Sequence, residues 1–491
     1  MVELRDATYW VEEINRGRVS PTELLELTAE KIERLNPKYN AIVASDLERA
    51  RQDLKQTKHG LFAGLPLPLK MLGQSHVGLP DTAGSQIFKD NIASNDSAFV
   101  VKLMEAGFTP FGQTNTPEFG FKNITDPKLY GPTRNVWNPA YYSGGSSGGA
   151  ASAVAAGIYP MAAGSDGGGS LRIPASFSGL LGFKVTRGRM PQGPSGFRSW
   201  QGASTSGALT VSVRDMARFL AVSQTVQEAA PYQTPLLSKD RLLDIHESRK
   251  RLKVAFSLAT PINGIEVSET AKLAVQKTIG YLAEQGHEIV EVAYPMDTRG
   301  LIESYYQMNA AETAAMLRPY EQAIGREIAV DEIEPLSFAL LNVGRKISAI
   351  NYIEILNSWD QATAVFEERI FSEFDIFITP TSAQTAPKIA DDLVPDAVRD
   401  AISNIKALSF AEQTQAISAY FEPSLAITPY PFTANLTGQP VLSVPVFVDQ
   451  QSGLPQGVQL WGAKNSEITI LELAKELENG GQFILPAAYR S

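Results

Sequence analysis

Apolar positions along the chain follow two spacings, one typical of amphipathic helices and one typical of buried strands. Residues 4 to 36 fit two helices, and the second has a strong start signal. Ser20 is a capping residue, Pro21 stands at the first helical position, and Glu23 follows three residues after the cap. The leucines and isoleucines after it fall mostly on one face, and Pro37 is expected to stop the helix.

The same reasoning predicts the other regular elements. Further helices are expected at about 47–56, 97–106, 150–157, 212–223, 268–285 and 468–477, and strands at about 40–45, 64–72, 108–112, 253–257, 288–293 and 374–379. Helices alternate with strands, which favours a layered α/β sheet. Residues 300 to 370 differ, because they are helical in pattern, with long apolar and charged side chains and few glycines.

The stretch from Ser143 to Ala175 stands out, because it consists almost entirely of Gly, Ser and Ala. Glycine loses more backbone entropy on folding than any other residue, so two glycine runs indicate turns or close backbone approach. The segment of small residues between them, 150–157, predicts a buried helix, because its short side chains allow close packing on a sheet. A flexible linker does not fit, because apolar runs follow. A phosphate-binding loop and a dinucleotide fingerprint lack the sequence patterns that they require.

Composition narrows the classes of function. The 491 residues are 44% hydrophobic and 20% charged, and the net charge of −10 argues against nucleic acid or an anionic membrane as a partner. Without cysteine, disulfides, zinc–thiolate sites and thiol nucleophiles are excluded. The four histidines are scattered and are expected on the surface, so no metal site and no cofactor are predicted. The N-terminus lacks the pattern of a signal peptide and no apolar run reaches membrane length, so a cytoplasmic location is expected.

The two glycine runs carry a long motif, GGSSGGAASAVAAG followed by GSDGGGSLRIPA, and GLPLPLK lies upstream. This pattern resembles the amidase signature family. The resemblance implies that Ser170 is the nucleophile, that Ser146, after a cis peptide bond, is a bridging serine, and that Lys70 completes the triad. At the position after this lysine the family usually has Asp, whereas this chain has Met71. Taken alone, Lys70 also fits an edge-strand lysine with its amine in water.

The implied triad fits the chemistry of amide hydrolysis, which needs an activated nucleophile and a site for the oxyanion. With no well-placed histidine, Lys70 is the available base, since burial would lower its pKa. Ser146 would relay the proton. Backbone N–H groups of Gly167, Gly168 and Gly169 are expected to stabilise the oxyanion, and a supporting role in fixing the loop is expected for Asp166 and Arg172.

The resemblance covers about residues 20–222 and 372–480, and segments 436–445 and 453–462 resemble the family's closing strands. It implies one α/β domain over residues 1–491, with a mixed, many-stranded sheet between helix layers. The helical region at about 300–370 is expected to cover the site. Phe119, Phe121 and Tyr130 are candidates for the substrate pocket, although aromatic residues there fit a core equally well.

The predicted function is hydrolysis of a carboxamide to a carboxylate and an amine, with a small-molecule amide or carbamate as substrate. TNTPEFG and GALTVSVRD are more similar to the general bacterial amidases, including nylon-oligomer and carbamate hydrolases, than to the glutamine-hydrolysing subunit of tRNA-dependent amidotransferases. That subunit and a catalytically silent binding protein on the same scaffold remain alternatives. A homodimer is left open.

Overall fold

Two β-sheets organise the chain in the computed structural model, which describes residues 4–56, 59–248 and 250–490. The strands are β1 (Ile42–Ser45), β2 (Pro66–Lys70), β3 (Thr109–Thr114), β4 (Met161–Asp166), β5 (Leu181–Lys184), β6 (Thr205–Thr210), β7 (Lys253–Phe256), β8 (Glu288–Glu291), β9 (Ile376–Pro380), β10 (Val441–Val448) and β11 (Pro455–Gly462). The helices are α1 (Ala7–Asn15), α2 (Pro21–Tyr39), α3 (Leu47–Asp53), α4 (Ala98–Glu105), α5 (Gly148–Ala155), α6 (Arg172–Ser178), α7 (Val213–Ser223), α8 (Lys239–Leu243), α9 (Glu269–Glu284), α10 (Arg299–Ile324), α11 (Pro335–Gly344), α12 (Ala349–Phe366), α13 (Asp396–Ser403), α14 (Phe410–Ile427), α15 (Phe432–Thr437) and α16 (Glu467–Asn479).

The larger sheet has eight strands in the order β4-β6-β5-β10-β11-β9-β7-β8. Strand β7 runs parallel to β8 and to β9, and the other pairs are antiparallel. The sheet is therefore mixed and many-stranded. This confirms the predicted α/β class.

Helices cover both faces of this sheet. Successive side chains of each strand point to opposite faces, and apolar side chains on each face pack against a layer of helices. Ile376 and Ile378 pack in one core with apolar residues of α7, α9 and α16, whereas Phe377 between them packs with Phe366 of α12 on the other face. Near β4, the second face is filled by the small residues of α5 and by α6. All eight residues of α5 are buried, as predicted for the small-residue segment.

The smaller sheet, in the order β1-β3-β2, carries Lys70 at the end of β2. Strand β2 is parallel to β3, and all five of its residues are buried. Strand β2 lies at the edge of this sheet, but an amine in water is wrong for Lys70, because its side chain is fully buried.

The helices between residues 299 and 437 form a hydrophobic core of their own. Apolar side chains of α10, α11, α12, α14 and α15 meet in it, and Phe119 contributes from the loop after β3. Helix α11 is fastened to that loop by Glu118, whose carboxylate accepts hydrogen bonds from Ser85 Oγ (2.6 Å) and the Glu334 N–H (2.8 Å).

Among the predicted boundaries that the structure corrects are the end of α2 and the start of β10. Helix α2 does not stop at Pro37 but continues to Tyr39, and the left-handed Asn40 caps it with an N–H···O bond of 2.7 Å to Asn36. Proline removes one N–H donor, which a helix tolerates near its end because the following turn can still be closed. Leu436 lies in α15 and not in a closing strand, which begins at Val441.

Candidate active site

Lys70, Ser146 and Ser165 meet at the junction of the two sheets. Lys70 is fully buried, and its Nζ lies 2.7 Å from Ser146 Oγ and 2.9 Å from Ser165 Oγ. Ser146 precedes α5, and the Gly145–Ser146 peptide bond is cis. Ser165 comes from β4. Three separate parts of the chain therefore converge on one amine.

Burial is the main influence on the charge of this amine. It lowers the pKa of Lys70 from its usual 10.5 to about 7, although the nearby charge of Asp166 acts in the opposite direction. A substantial fraction of the amine is then neutral near neutral pH and able to accept a proton.

The position of Lys70 is further fixed through its backbone. Its N–H donates to Gln74 Oε1 at 2.7 Å, and Gln74 Nε2 donates to the carbonyl of Gly164 on β4 at 2.7 Å. Met71, which replaces the family's usual Asp, is buried and donates its N–H to Thr114 O at 3.1 Å. Gln74 thus links the strand that carries Lys70 to the strand that leads to Ser170.

A glycine turn connects β4 to α6 and carries Ser170. The turn consists of Gly167, Gly168 and Gly169, and Gly169 has a φ of +121°, a conformation that side chains rarely adopt. Ser170 is partly exposed, and its carbonyl accepts a hydrogen bond from the Ser147 N–H at 3.2 Å. The two glycine runs identified in the sequence are therefore directly connected.

The turn is held by a buried ion pair between Asp166 and Arg172. Arg172 donates to both carboxylate oxygens, with Nε–Oδ2 3.0 Å and Nη2–Oδ1 2.9 Å, and neither side chain is exposed. Asn435 Nδ2 donates to Asp166 Oδ1 at 2.8 Å. Burial raises the pKa of Asp166, but the charge and hydrogen bonds of Arg172 outweigh this effect and hold the pKa at about 2. A buried carboxylate that stays ionised suits a structural role and not proton transfer.

Asp166 also restricts which N–H groups can face a substrate. The Gly169 N–H donates to Asp166 Oδ1 at 2.8 Å, so this group is already occupied. Its predicted part in an oxyanion site therefore does not fit the geometry. In the described parts of the chain, no acceptor is present for the N–H groups of Gly167 and Gly168.

A cleft opens over Ser170, and its walls combine apolar and aromatic side chains with polar ones that include Lys122, Asn123 and Asn309. One of the three predicted pocket residues, Phe121, lines it. Phe119 lies behind it in the helical core, and Tyr130 contacts Thr82 Oγ1 at 3.1 Å instead, so neither lines the cleft. The apolar lining comes mainly from helices and includes Ile173, Ile302, Tyr305, Tyr306, Phe421, Leu425 and Phe432.

Several site residues were not anticipated from the sequence. Ser165, Gln74 and Tyr305 contact the candidate triad or the glycine turn, and Asn435 contacts Asp166, which holds that turn. Only Ser165 had a signal, because it lies in the motif itself, five residues before Ser170. The others come from distant segments whose proximity depends on tertiary structure.

The histidines and the acidic residues form no further site. Two of the four histidines are buried, contrary to expectation: His76 Nδ1 lies 2.7 Å from Asp96, and His287 Nε2 lies 3.1 Å from Glu476. Within residues 4–56, 59–248 and 250–490, no group of three or more His, Asp or Glu residues is arranged to hold a metal ion. Over the same ranges, none of the helices has the length and apolar character needed to cross a membrane.

Known proteins similar to this chain agree with the motif. A family model described as Amidase matches residues 23–471. The chain is 36% identical to a lipoamidase of Enterococcus faecalis over 479 residues, which is 96% of this chain but 63% of the lipoamidase, so it spans less than two thirds of that relative. It is 30% identical to a 6-aminohexanoate-cyclic-dimer hydrolase of Paenarthrobacter ureafaciens, with 96% of this chain and 94% of the relative covered.

A solved structure of 6-aminohexanoate cyclic dimer hydrolase superimposes with a TM-score of 0.89 at 31% identity, over 100% of this chain and 99% of the other. Sequence motif, fold and relatives thus agree over nearly the whole length. The chain belongs to the amidase signature family of amide-hydrolysing enzymes.

Proposed function

We propose that this amidohydrolase cleaves the C–N bond of a carboxamide through an acyl-enzyme on Ser170, with Ser146 as proton relay and Lys70 as base. The observation that carries the proposal is the 2.7 Å contact between Lys70 Nζ and Ser146 Oγ, made by a lysine with no exposed surface. A buried lysine without an acidic partner in contact is costly unless it is neutral, and a neutral amine is a base.

In the first half of the reaction, Ser170 Oγ attacks the amide carbonyl while its proton passes to Ser146, whose own proton passes to Lys70. The oxyanion that forms on the carbonyl oxygen is stabilised by the N–H groups of Gly167 and Gly168. The tetrahedral intermediate collapses when the C–N bond breaks, and Lys70 returns its proton through Ser146 to the leaving nitrogen.

The second half repeats the sequence with water as the nucleophile. Water attacks the acyl carbonyl, its proton passes along the same route, and the C–O bond to Ser170 breaks. The products are a carboxylic acid and an amine, and Ser170 and Lys70 regain their starting protonation states. Asp166 and Arg172 keep the glycine turn in place throughout and take no part in proton transfer.

The acyl group of the substrate is proposed to be an apolar carbon chain or ring. The cleft walls include Phe121, Ile302, Tyr306, Phe421 and Leu425, which favour apolar atoms. The name of one relative, 6-aminohexanoate-cyclic-dimer hydrolase, also indicates an amide with an aliphatic carbon chain. We also propose that the helical region at about 300–370 covers the cleft, because Ile302 and Tyr306 line it.

The nucleophile is tested with Ser170→Ala. We expect amide turnover to disappear, with thermal stability unchanged, because one hydroxyl is lost without a change in packing. A fluorophosphonate probe should add its mass to the peptide that contains Ser170 in the unmodified chain only. Ser195→Ala, at an exposed serine, is the matched control. Turnover retained in Ser170→Ala would place the nucleophile elsewhere.

Assays with a panel of amides distinguish the proposed amidase from an amidotransferase subunit and from a silent binding protein. The proposal expects aliphatic and aryl acyl amides to be hydrolysed faster than glutamine. Activity on glutamine alone, and only with companion chains, would instead favour the amidotransferase subunit. No turnover of any amide, together with no labelling of Ser170, would favour a silent binding protein.

A further inference from the structure

A left-handed turn of three successive non-glycine residues lies beside the glycine turn. Ser199, Trp200 and Gln201 have φ values of +43°, +55° and +54°. Residues with side chains avoid this region, and three in a row persist only where the surroundings impose the conformation. Such strain concentrates at functional sites, so the contacts of this turn are informative.

The turn presses the Trp200 ring onto the loop that carries Ser170. A Cβ atom on Gly167 would lie 2.8 Å from Trp200 Cζ3, so the ring is in direct contact with that glycine. Trp200 also stacks on Phe121, with centroids 6.2 Å and planes 16° apart, and meets Tyr305 edge-on at 6.2 Å. It therefore lies behind two aromatic residues that line the cleft.

Tyr305 contacts the same loop through its hydroxyl and its ring. The Tyr305 hydroxyl donates to the Gly167 carbonyl at 3.0 Å. A Cβ atom on Gly168 would lie 2.6 Å from the Tyr305 hydroxyl oxygen. Trp200 and Tyr305 together restrict the two peptide units whose N–H groups have no acceptor in the described chain. Neither contact tolerates a side chain at Gly167 or Gly168, which explains why both positions are glycine.

The conformation of the turn is imposed from two directions. On one side, Gln201 Nε2 donates to Tyr352 Oη at 3.1 Å and to Glu312 Oε1 at 3.3 Å. These hydrogen bonds connect the turn of residues 199–201 to α12 and α10. On the other side, Asn435 Nδ2 donates to the carbonyl of Ala203, two residues after the turn, at 2.9 Å, and it also donates to Asp166. Helices α10, α12 and α15 thus position the turn of residues 199–201 relative to Asp166, whose carboxylate also holds the glycine turn.

We propose that Trp200 is a positioning residue for amide hydrolysis, holding the Gly167 and Gly168 N–H groups where the oxyanion develops. The inference rests on the proposed function, because it takes those two groups as the oxyanion site. A displacement of about 1 Å in such a site costs about 100-fold in rate, and Trp200 fills the space into which Gly167 would otherwise move.

The test compares Trp200→Leu with the matched control Trp10→Leu, a half-buried tryptophan on α1. We expect Trp200→Leu to lower kcat by about 10- to 100-fold, with KM changed by less than about threefold. Trp10→Leu is expected to keep kcat. Trp200→Phe should lower kcat by a smaller factor, because a smaller aromatic ring still fills part of the space between Phe121 and Gly167. It serves as the second variant if Trp200→Leu does not fold.

A trifluoromethyl ketone distinguishes positioning from general loss of structure, because its tetrahedral adduct places an oxyanion in the same site. The inhibition constant should rise by the same factor as kcat/KM falls, since both report on the oxyanion donors. A rise in KM with kcat and inhibition unchanged would overturn the inference, as would kcat within twofold of the unmodified enzyme in both Trp200 variants.

Failure of the proposed function gives a different result. If a fluorophosphonate does not label Ser170 in the unmodified enzyme, the proposed nucleophile is wrong and the inference fails with it. If Ser170 is labelled but the Trp200 variants retain full kcat, the nucleophile stands and the role of Trp200 is refuted.

Discussion

Lys70 illustrates how a single residue can be placed by motif while its chemistry is set by tertiary structure. The sequence motif predicted its pairing with Ser146, and the structure has the two atoms 2.7 Å apart. The lowered pKa depends on complete burial, which a lysine among apolar neighbours suggests but does not prove. Ser165, the second contact of the amine, follows from the register of β4, which the sequence does not reveal.

The first prediction at this scale concerns pH. If neutral Lys70 is the base, kcat/KM rises with pH, because the neutral fraction grows from about one tenth one unit below the pKa to about nine tenths one unit above it. With the pKa at about 7, the rise should be centred near pH 7 and reach a plateau above pH 8. A pH–rate profile measures this directly.

Substitution of Lys70 gives the control for that profile. Lys70→Arg should lose several orders of magnitude in kcat/KM, because a guanidinium stays protonated at every usable pH. Near-native activity of Lys70→Arg would show that only positive charge is needed and that Lys70 is not the base. A flat profile between pH 5 and 9 would contradict the proposed role as well.

Other residues show where reasoning from the sequence ends. His76 and His287 look like surface residues in the sequence, yet each is buried next to a carboxylate. The position of Tyr130 in a loop near the motif predicts a place in the pocket, but its hydroxyl contacts Thr82 Oγ1 instead. Burial and loop direction depend on distant segments, and the local pattern contains no information about them.

At the scale of elements, α5 is the clearest success of the sequence pattern. Its small side chains predicted close packing. In the structure every residue of α5 is buried, and Gly149 lies against the backbone of Ala41 and Asn115, which are next to β1 and β3. The helix begins at Gly148, two positions before the predicted start. Helix ends are decided by capping and packing, and glycine gives little local signal for a helix start.

Two glycine substitutions test this packing in opposite directions. Gly149→Ala should lower the free energy of unfolding by about 2–3 kcal/mol, because its Cβ would lie 2.2 Å from Asn115 N and 2.6 Å from Ala41 O. Gly280→Ala, at an exposed position of α9 with nothing within 4 Å, should instead raise it by about 0.5–1 kcal/mol. Urea denaturation measures both, and equal effects would refute the packing argument.

For the whole molecule, fold class was predictable and strand order was not. Alternating helices and strands indicated a layered sheet, and the family motif indicated that it is mixed. The order β4-β6-β5-β10-β11-β9-β7-β8 joins strands more than 200 residues apart, and no local pattern specifies such pairings. The separate core of α10 to α15 was likewise not visible in a pattern that shows only that the region is helical.

The final prediction concerns the purified chain without added components. The proposed nucleophile, relay and base all come from this one chain, which contains no cysteine and needs no metal-bound water in the proposed cycle. The purified protein should therefore hydrolyse small acyl amides without a partner chain, and EDTA should change kcat by less than about twofold. Initial rates with and without EDTA measure this, and a metal-dependent hydrolase serves as the positive control. Loss of activity in EDTA that zinc or manganese restores would contradict the lysine-based mechanism, because that activity would then depend on a metal ion in place of the Lys70–Ser146 relay.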